Sequence, residues 1–518
     1  MPSVRRKLSA RHPVVIVGSG LAGMSAALRV AGCMPVVLIT KHGLGDGGTS
    51  WAQGGIAAAL GPGDSIESHA HDTIAAGAGT CRPDAAVAVC GDGPGVVAAL
   101  ADAGVAFDRA HGALALAREG AHSLPRVAHA GGDATGRHVV GALVRLVRAH
   151  PAITVLEHVR VDDLWVDDAG IAGLRLASDE MIPAQAVVLA TGGSGHLFGR
   201  TTNPVGATAD GPALARRAGA ALIDMEMVQF HPTALAVGPS PLGLISEAVR
   251  GAGAMLYDGD GRPVMAGVHP MGDLGPRDVV ARAVFRRAQE SGRDVVLSLA
   301  HLDPVRVRAR FPEVAALCAA QGIDLATDPV PVTPAAHYAM GGVLTDLNGR
   351  TTVPGLWAVG ECASTGLHGA NRLASNGLLE AAALGRRAAD DVAAGGGEAA
   401  PGPRTDPMAL ARGEADGAGV RRRLGPIMWN GCGVERNAAG LTDAAERLAD
   451  LPLPADPETA GMLEVARLIV AAAAAREESR GAHFRSDFPD ADPAQAHRMC
   501  WAGDTPAAAP SFTLTEAA

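Results

Sequence analysis

No Cys-x-x-Cys pair and no zinc-like spacing occurs among the seven cysteines, Cys33, Cys81, Cys90, Cys318, Cys362, Cys432 and Cys500. An odd, scattered set reads as reduced thiols in a cytosolic protein, with no disulfide framework and no metal centre. A basic stripe is missing too. The net charge of −10 is spread along the chain, which argues against a nucleic-acid surface. No unbroken apolar run approaches the ~18–20 residues that cross a bilayer, and no internal repeat is visible. The opening MPSVRRKLSARHPVVIVGSG imitates a secretion signal with a basic head and a twin arginine. Its apolar part doubles as the first strand of the motif described next, so cleavage would destroy the fold. These absences predict a cytoplasmic protein with no membrane span and no nucleic-acid partner.

What is present begins at VVIVGSGLAGMSAALRV, Val14–Val30. Four apolar residues of strand character run into Gly18-x-Gly20-x-x-Gly23, which opens an Ala-rich helix. Unpaired N–H groups and the positive end of the helix dipole would meet a phosphate there. Gly18 permits the turn, Gly20 lets the backbone approach a pyrophosphate, and Gly23 lets helix and strand pack closely. The generic dinucleotide pattern asks for an acid about 20 residues on. Here the second strand, Val36–Ile39, ends in Thr40-Lys41, which disfavours a nicotinamide cofactor. Two further nucleotide-type strand ends follow, AVVLATGGSG at Ala186–Gly195 and PGLWAVGECA at Pro354–Ala363. Recurrence this far apart predicts a flavin domain assembled from distant segments, with Glu361 on a ribityl hydroxyl.

At 518 residues the chain is too long for one simple core and predicts two or three domains. From about Glu226 to His337 the strand–helix rhythm breaks into short apolar pieces with Gly and Pro, as in an inserted domain. The nucleotide pattern resumes at Gly341–Leu384. Ala393–Pro407 has linker composition, the following stretch to about Ala475 is helical in pattern, and the last 15 residues or so are expected to fray.

Five compact clusters lie in or beside the insert: Gln229-Phe230-His231-Pro232-Thr233, Ser246-Glu247-x-x-Arg250, Pro276-Arg277-Asp278, His337-Tyr338, and His368 to Gly377. Each has a plain alternative. A His beside Pro suits a turn, and Ser246-Glu247 or Arg277-Asp278 could cap a helix. With WAQGGIA, DATGR, ATGG, GPRDVVARA, HYAMGG, GECA, GANRLASNGLLE and SRGAHFRSDFP, they resemble one family. It comprises the flavoprotein subunits of succinate dehydrogenase and fumarate reductase and the L-aspartate oxidases, and the resemblance spans nearly the whole chain.

That resemblance implies an α/β fold: an FAD-binding Rossmann-like domain (1–225 and 337–395), an inserted α+β capping domain that meets the substrate (226–336) and a C-terminal helical domain (408–518). It implies FAD held by Ser19, Gly20, Leu21, Ala22, Lys41, Asp210, Glu361, Gly377, Leu378 and the loop Gly48, Thr49, Ser50, Trp51, Ala52, Gln53, Gly54 and Gly55. Lys41 takes the place of the missing acid. Respiratory members attach FAD to a His at the position of Gly48, so here the flavin is expected to be noncovalent. In Arg118-Glu119-Gly120-Ala121-His122-Ser123 the Glu sits where the dicarboxylate enzymes carry an apolar residue. Beside a dicarboxylate it makes sense if the substrate also bears an ammonium; the plain alternative is a solvated surface carboxylate. Ala121 replaces a family Gly and Ser246 a family Thr, both read as conservative. By the resemblance, His231 and Ser246 hold one carboxylate, and His337 and Arg372 the other. Arg277 handles a proton, and Glu247 and Arg250 serve as its path. The implied reaction takes L-aspartate to iminoaspartate, with O2 or fumarate as acceptor, at the start of de novo NAD synthesis. Quinolinate synthase is the implied partner, and a soluble fumarate reductase or succinate dehydrogenase is the rival reading.

Overall fold

The computed structural model describes residues 12–510. The basic head of the sequence and the last eight residues lie outside them.

A five-stranded parallel sheet runs in the order Leu356–Ala358, Ala186–Leu189, Val14–Val17, Val36–Thr40, Ile153–Glu157. Alternation sends its side chains to two cores. Val15 and Val17 join one and Val14 and Ile16 the other, all at least nine-tenths buried. Such near-continuous apolar runs are what strands covered on both faces require. Gly18 holds φ +112°, and a Cβ there would lie 2.1 Å from the Ala190 carbonyl oxygen. At Gly23 a Cβ would lie 1.9 Å from the Gly18 oxygen. The helix Leu21–Val30 therefore starts tight against its strand, with no side-chain cap on its first N–H groups. The helix Asn376–Ala393 crosses it closely, since a Cβ on Gly385 would meet the Ala22 oxygen at 2.4 Å.

Between Val228 and Ala339 the chain builds an antiparallel sheet ordered Val228–Leu235, Val330–Ala339, Val295–Ser298, Met255–Tyr257. With the helix Arg277–Ser291 it encloses a core of its own around Leu256, Val284 and Leu297.

Helices Gly417–Cys432, Ala438–Ala449 and Pro457–Ala475 follow. They do not form a separate core. Leu424, Leu463 and Ile469 share one apolar cluster with Val15 and Val17 of the parallel sheet. The segment of linker composition is likewise tied down: Ala400 N–H donates to Thr351 O, Thr405 to Gly219 O and Met408 to Arg217 O. Of the last 15 residues, expected to fray, Thr505–Ala507 pairs with Cys500–Ala502, itself paired with Leu222–Ile223, while the expectation for the final eight lies outside the described residues.

Among the described residues one helix, Pro83–Asp102, has the length and mean hydropathy of 1.3 of a bilayer span, its apolar residues interrupted by Asp, Gly and Pro. Its buried face, including Ala85, Val89, Val96 and Leu100, packs into the core behind the fingerprint helix.

Candidate active site

The C-terminal ends of the parallel strands open into a cavity of about 480 Å³ that continues under the antiparallel sheet of the insert. Every residue assigned from the sequence lines it except Arg250. At one end stand the fingerprint turn, the loop 48–55, Glu361 and the start of the helix Asn376–Ala393. At the other stand His231, Ser246, Glu247, Arg277, His337 and Arg372.

The fingerprint end is built for close approach. Leu21 N–H donates to Thr49 Oγ1 at 3.0 Å, so the 48–55 loop is fastened across the turn. Gly193 lets Glu361 approach the backbone, since a Cβ there would lie 2.2 Å from Glu361 Oε1 and displace that side chain. Glu361 Oε1 accepts from Ala339 N–H at 3.0 Å, and burial pushes its carboxyl up to about 7. Lys41 is more committed than its sequence reading suggests. Its Nζ donates to Thr208 Oγ1 at 2.6 Å, Asp210 Oδ2 at 2.7 Å and Glu458 Oε1 at 2.6 Å. Acids absent from the end of the second strand thus arrive from Asp210 and from a helix more than 400 residues on. Val159–Val161 and Thr202–Ala207 also line the cavity. Sequence reading passed over both, as neither carries a glycine signature.

At the insert end, cations and imidazoles converge with little company. Arg277 Nε donates to Glu247 Oε2 at 2.6 Å and its Nη1 to Gln229 Oε1 at 3.0 Å. Arg250, fully buried, stands behind Glu247 with Nη2 3.7 Å from Oε1. The guanidinium carbon of Arg372 lies 4.0 Å from the centre of the Tyr338 ring. Burial, and then Arg277, bring Arg372 down to about 10, and it remains a cation at neutral pH. His231 and His337 pack edge to face at 5.0 Å. Burial and the neighbouring arginines hold both well below the usual imidazole range, so both are neutral. Thr202 Oγ1 lies 2.8 Å from His337 Nδ1, which leaves Nε2 for the cavity. His231 Nε2, Ser246 Oγ and Arg372 Nε are buried without a hydrogen-bond partner. Ser246 stands at the cap position of Glu247–Gly251 yet makes no side-chain cap bond. Buried donors left in this state cost about 1–3 kcal/mol each, so they fit a ligand with anionic oxygens.

Glu119 is the lone anion of the group that no arginine neutralises directly. It is 4% exposed, and Ser375 Oγ donates to its Oε2 at 2.7 Å. Its Oε1 lies 3.4 Å from His129 Nε2. Burial pushes this carboxyl up, but His129 and the Ser375 hydroxyl outweigh it and hold it at about 2. Behind it Arg126, fully buried, pairs with Asp64 and Asp72 and fixes the 118–128 loop. One sequence reading is corrected here. Ala121 has φ +62°, the left-handed region that glycine tolerates, so its replacement of Gly strains the backbone and is not conservative.

Fold and site together define an FAD-dependent oxidoreductase flavoprotein. A family described as FAD binding domain matches residues 13–378, and one described as fumarate reductase flavoprotein C-term matches residues 452–513. The chain is 48% identical to an L-aspartate oxidase of Streptomyces coelicolor, over 92% of this chain and 89% of that one. It is 47% identical to one of Agrobacterium fabrum, over 99% and 98%. Among solved structures it resembles a chain of E. coli quinol fumarate reductase (TM-score 0.86, 32% identity, covering 94% of each chain). A quinol–fumarate reductase with menaquinol molecules is similar too (TM-score 0.87, 31% identity, covering 98% of this chain and 99% of that one). The chain belongs to the L-aspartate oxidase family, within the succinate dehydrogenase and fumarate reductase flavoproteins.

Proposed function

We propose that the chain oxidises L-aspartate to iminoaspartate with FAD, O2 or fumarate taking the electrons, as the first step of the quinolinate route to NAD. The observation that carries this reading is one charge pattern. The unpartnered donors His231 Nε2, Ser246 Oγ and Arg372 Nε line a cavity that also holds Glu119, an ionised carboxylate paired with no arginine.

The cavity fits FAD on this chain's own features. The uncapped helix Leu21–Val30 offers its N–H groups, and the glycines at 18, 20 and 193 let a phosphate and a ribityl chain approach the backbone. Ser19 to Ala22 would hold the pyrophosphate, with Lys41 and Asp210 beyond it. The loop 48–55 with Gly377 and Leu378 would border the ring, and Glu361 would take a ribityl hydroxyl. With Gly48 where a linking His would stand, the attachment is noncovalent. When bound, FAD supplies the two-electron acceptor for the substrate C–H bond.

His231 Nε2 and Ser246 Oγ would donate to one carboxylate, while His337 and Arg372 hold the other, the guanidinium with two parallel N–H groups. Neutral imidazoles serve as donors here without adding charge. Glu119 takes the ammonium. Held at both ends, the substrate presents one C–H bond in a fixed orientation, worth several kcal/mol of barrier. Arg277 would donate or accept the proton at the reacting centre. Glu247 at 2.6 Å and Arg250 beyond it continue the path away from the cavity.

The inserted unit is proposed to span 226–336, and the protein to be cytoplasmic, with quinolinate synthase as the consumer of its labile product. The rival dicarboxylate activity offers Glu119 no ammonium and sets its charge against a second anion. Purified holoprotein given aspartate should yield hydrogen peroxide and bleach the flavin, with succinate at least tenfold poorer. Succinate turning over as fast as aspartate would sink the reading. Acid precipitation should release all flavin into the supernatant.

A further inference from the structure

Among the described residues at the insert end, Glu247 is paired with Arg277, which leaves Glu119 as the carboxylate whose charge suits an amine, so whatever keeps it ionised also governs selectivity. Its surroundings are demanding. The carboxylate is 97% shielded at its side chain, and burial of that depth favours the neutral acid. Arg126 spends its donors on Asp64, Asp72 and Ser68, and the Arg250 guanidinium is turned to Glu247 and Asp273. His122 Nε2 is engaged with the Ala374 carbonyl at 3.0 Å. Ser375 supplies one hydrogen bond, to Oε2. That leaves His129. Its Nε2 lies within ion-pair distance of Glu119 Oε1, at 3.4 Å, has no other polar partner and belongs to a side chain 12% exposed. Glu119 and Ser375 sit beside the loop 48–55, where a Cβ on Gly54 would lie 3.8 Å from Glu119 Oε1 and 3.4 Å from Ser375 Oγ.

We propose that His129 is a positioning residue for amine recognition. Donating from Nε2 to Glu119 Oε1, it holds that carboxylate charged and aimed, so the site prefers a dicarboxylate bearing an ammonium over one without it. The inference deepens the aspartate reading and rests on it. His129 does not line the cavity, so it acts through Glu119 and not on the substrate. Removing the donor leaves a buried carboxylate with one hydrogen bond and a reason to take up a proton. The ammonium then loses its counter-charge, whereas succinate loses nothing.

The test compares wild-type holoprotein with His129→Leu and His129→Gln, each first shown to retain FAD. Two quantities are read: the KM for L-aspartate and the inhibition constant of succinate against it. In the Leu variant KM for aspartate should rise about tenfold, the scale of one charged hydrogen bond, with a smaller change in kcat. Succinate should bind as well as before or better. The Gln variant, which restores an N–H donor, should recover most of the loss. An aspartate-to-succinate ratio unchanged in the Leu variant overturns the proposal. So does a parallel weakening of both ligands, which marks a merely structural role. Wild-type holoprotein that neither binds nor oxidises aspartate overturns the aspartate reading itself, and the proposal with it.

Discussion

Two residues carry measurable consequences that their types alone do not reveal. Ala121 occupies φ +62° two residues after Glu119, and a left-handed conformation costs a residue with a Cβ roughly 1–2 kcal/mol. Ala121→Gly should therefore raise the unfolding free energy by about 1 kcal/mol, read as a higher denaturant midpoint at unchanged slope. Glu361 acts through pH. Burial raises its carboxyl to about 7 in the folded protein, so the fold binds a proton there that the unfolded chain releases near 4.5. The stability it contributes is present below that value and lost as pH rises through 7. Apoprotein carrying Glu361→Gln should lose less stability than wild type between pH 5 and pH 8, measured by denaturant titration at both. Parallel curves would remove Glu361 from the pH response.

At the scale of elements, the fingerprint works because a strand and a helix touch. A Cβ at Gly23 would lie 1.9 Å from the backbone oxygen of Gly18, an atom that no side-chain rotation can move aside. Gly23→Ala should push the helix off the strand and misplace its N–H groups. FAD affinity, followed by quenching of flavin fluorescence, should fall at least 100-fold while far-ultraviolet circular dichroism stays near wild type. The inserted sheet makes the opposite point. Its strands Val228–Leu235 and Val330–Ala339 lie about a hundred residues apart in sequence. Their pairing of His231 with Ala335 and Gln229 with Tyr338 brings His231 and His337 within ring contact.

Across the whole molecule, the C-terminal helices belong to the cofactor half. Glu458, in the first turn of Pro457–Ala475, accepts from Lys41 at 2.6 Å and from Arg421 at 2.7 Å. Burial pushes its carboxyl up, but Lys41 and Arg421 outweigh that and hold it at about 2. Lys41 borders the cavity where the fingerprint turn lies, so its position depends on a helix from the far end of the chain. Glu458→Ala should weaken FAD binding about tenfold, by titration of apoprotein, with the secondary structure unchanged. Undiminished affinity would show that Lys41 finds its place without the C-terminal helix.

The chain's own order of residues was enough for whatever depends on neighbours in sequence. The strand–glycine–helix start, the three nucleotide-type strand ends, the break in rhythm after Glu226 and the clusters holding His231, Arg277 and Arg372 are all local patterns, set by backbone sterics and period. Tertiary structure alone decided what depends on distant groups meeting. It brought Asp210 and Glu458 to Lys41, set His129 against Glu119, gave the C-terminal helices a core in common with the parallel sheet, and put Ala121 in a glycine conformation. A contact between residues hundreds of positions apart leaves no periodicity to read. Its energy comes from burial and charge pairing that exist only once the chain has closed.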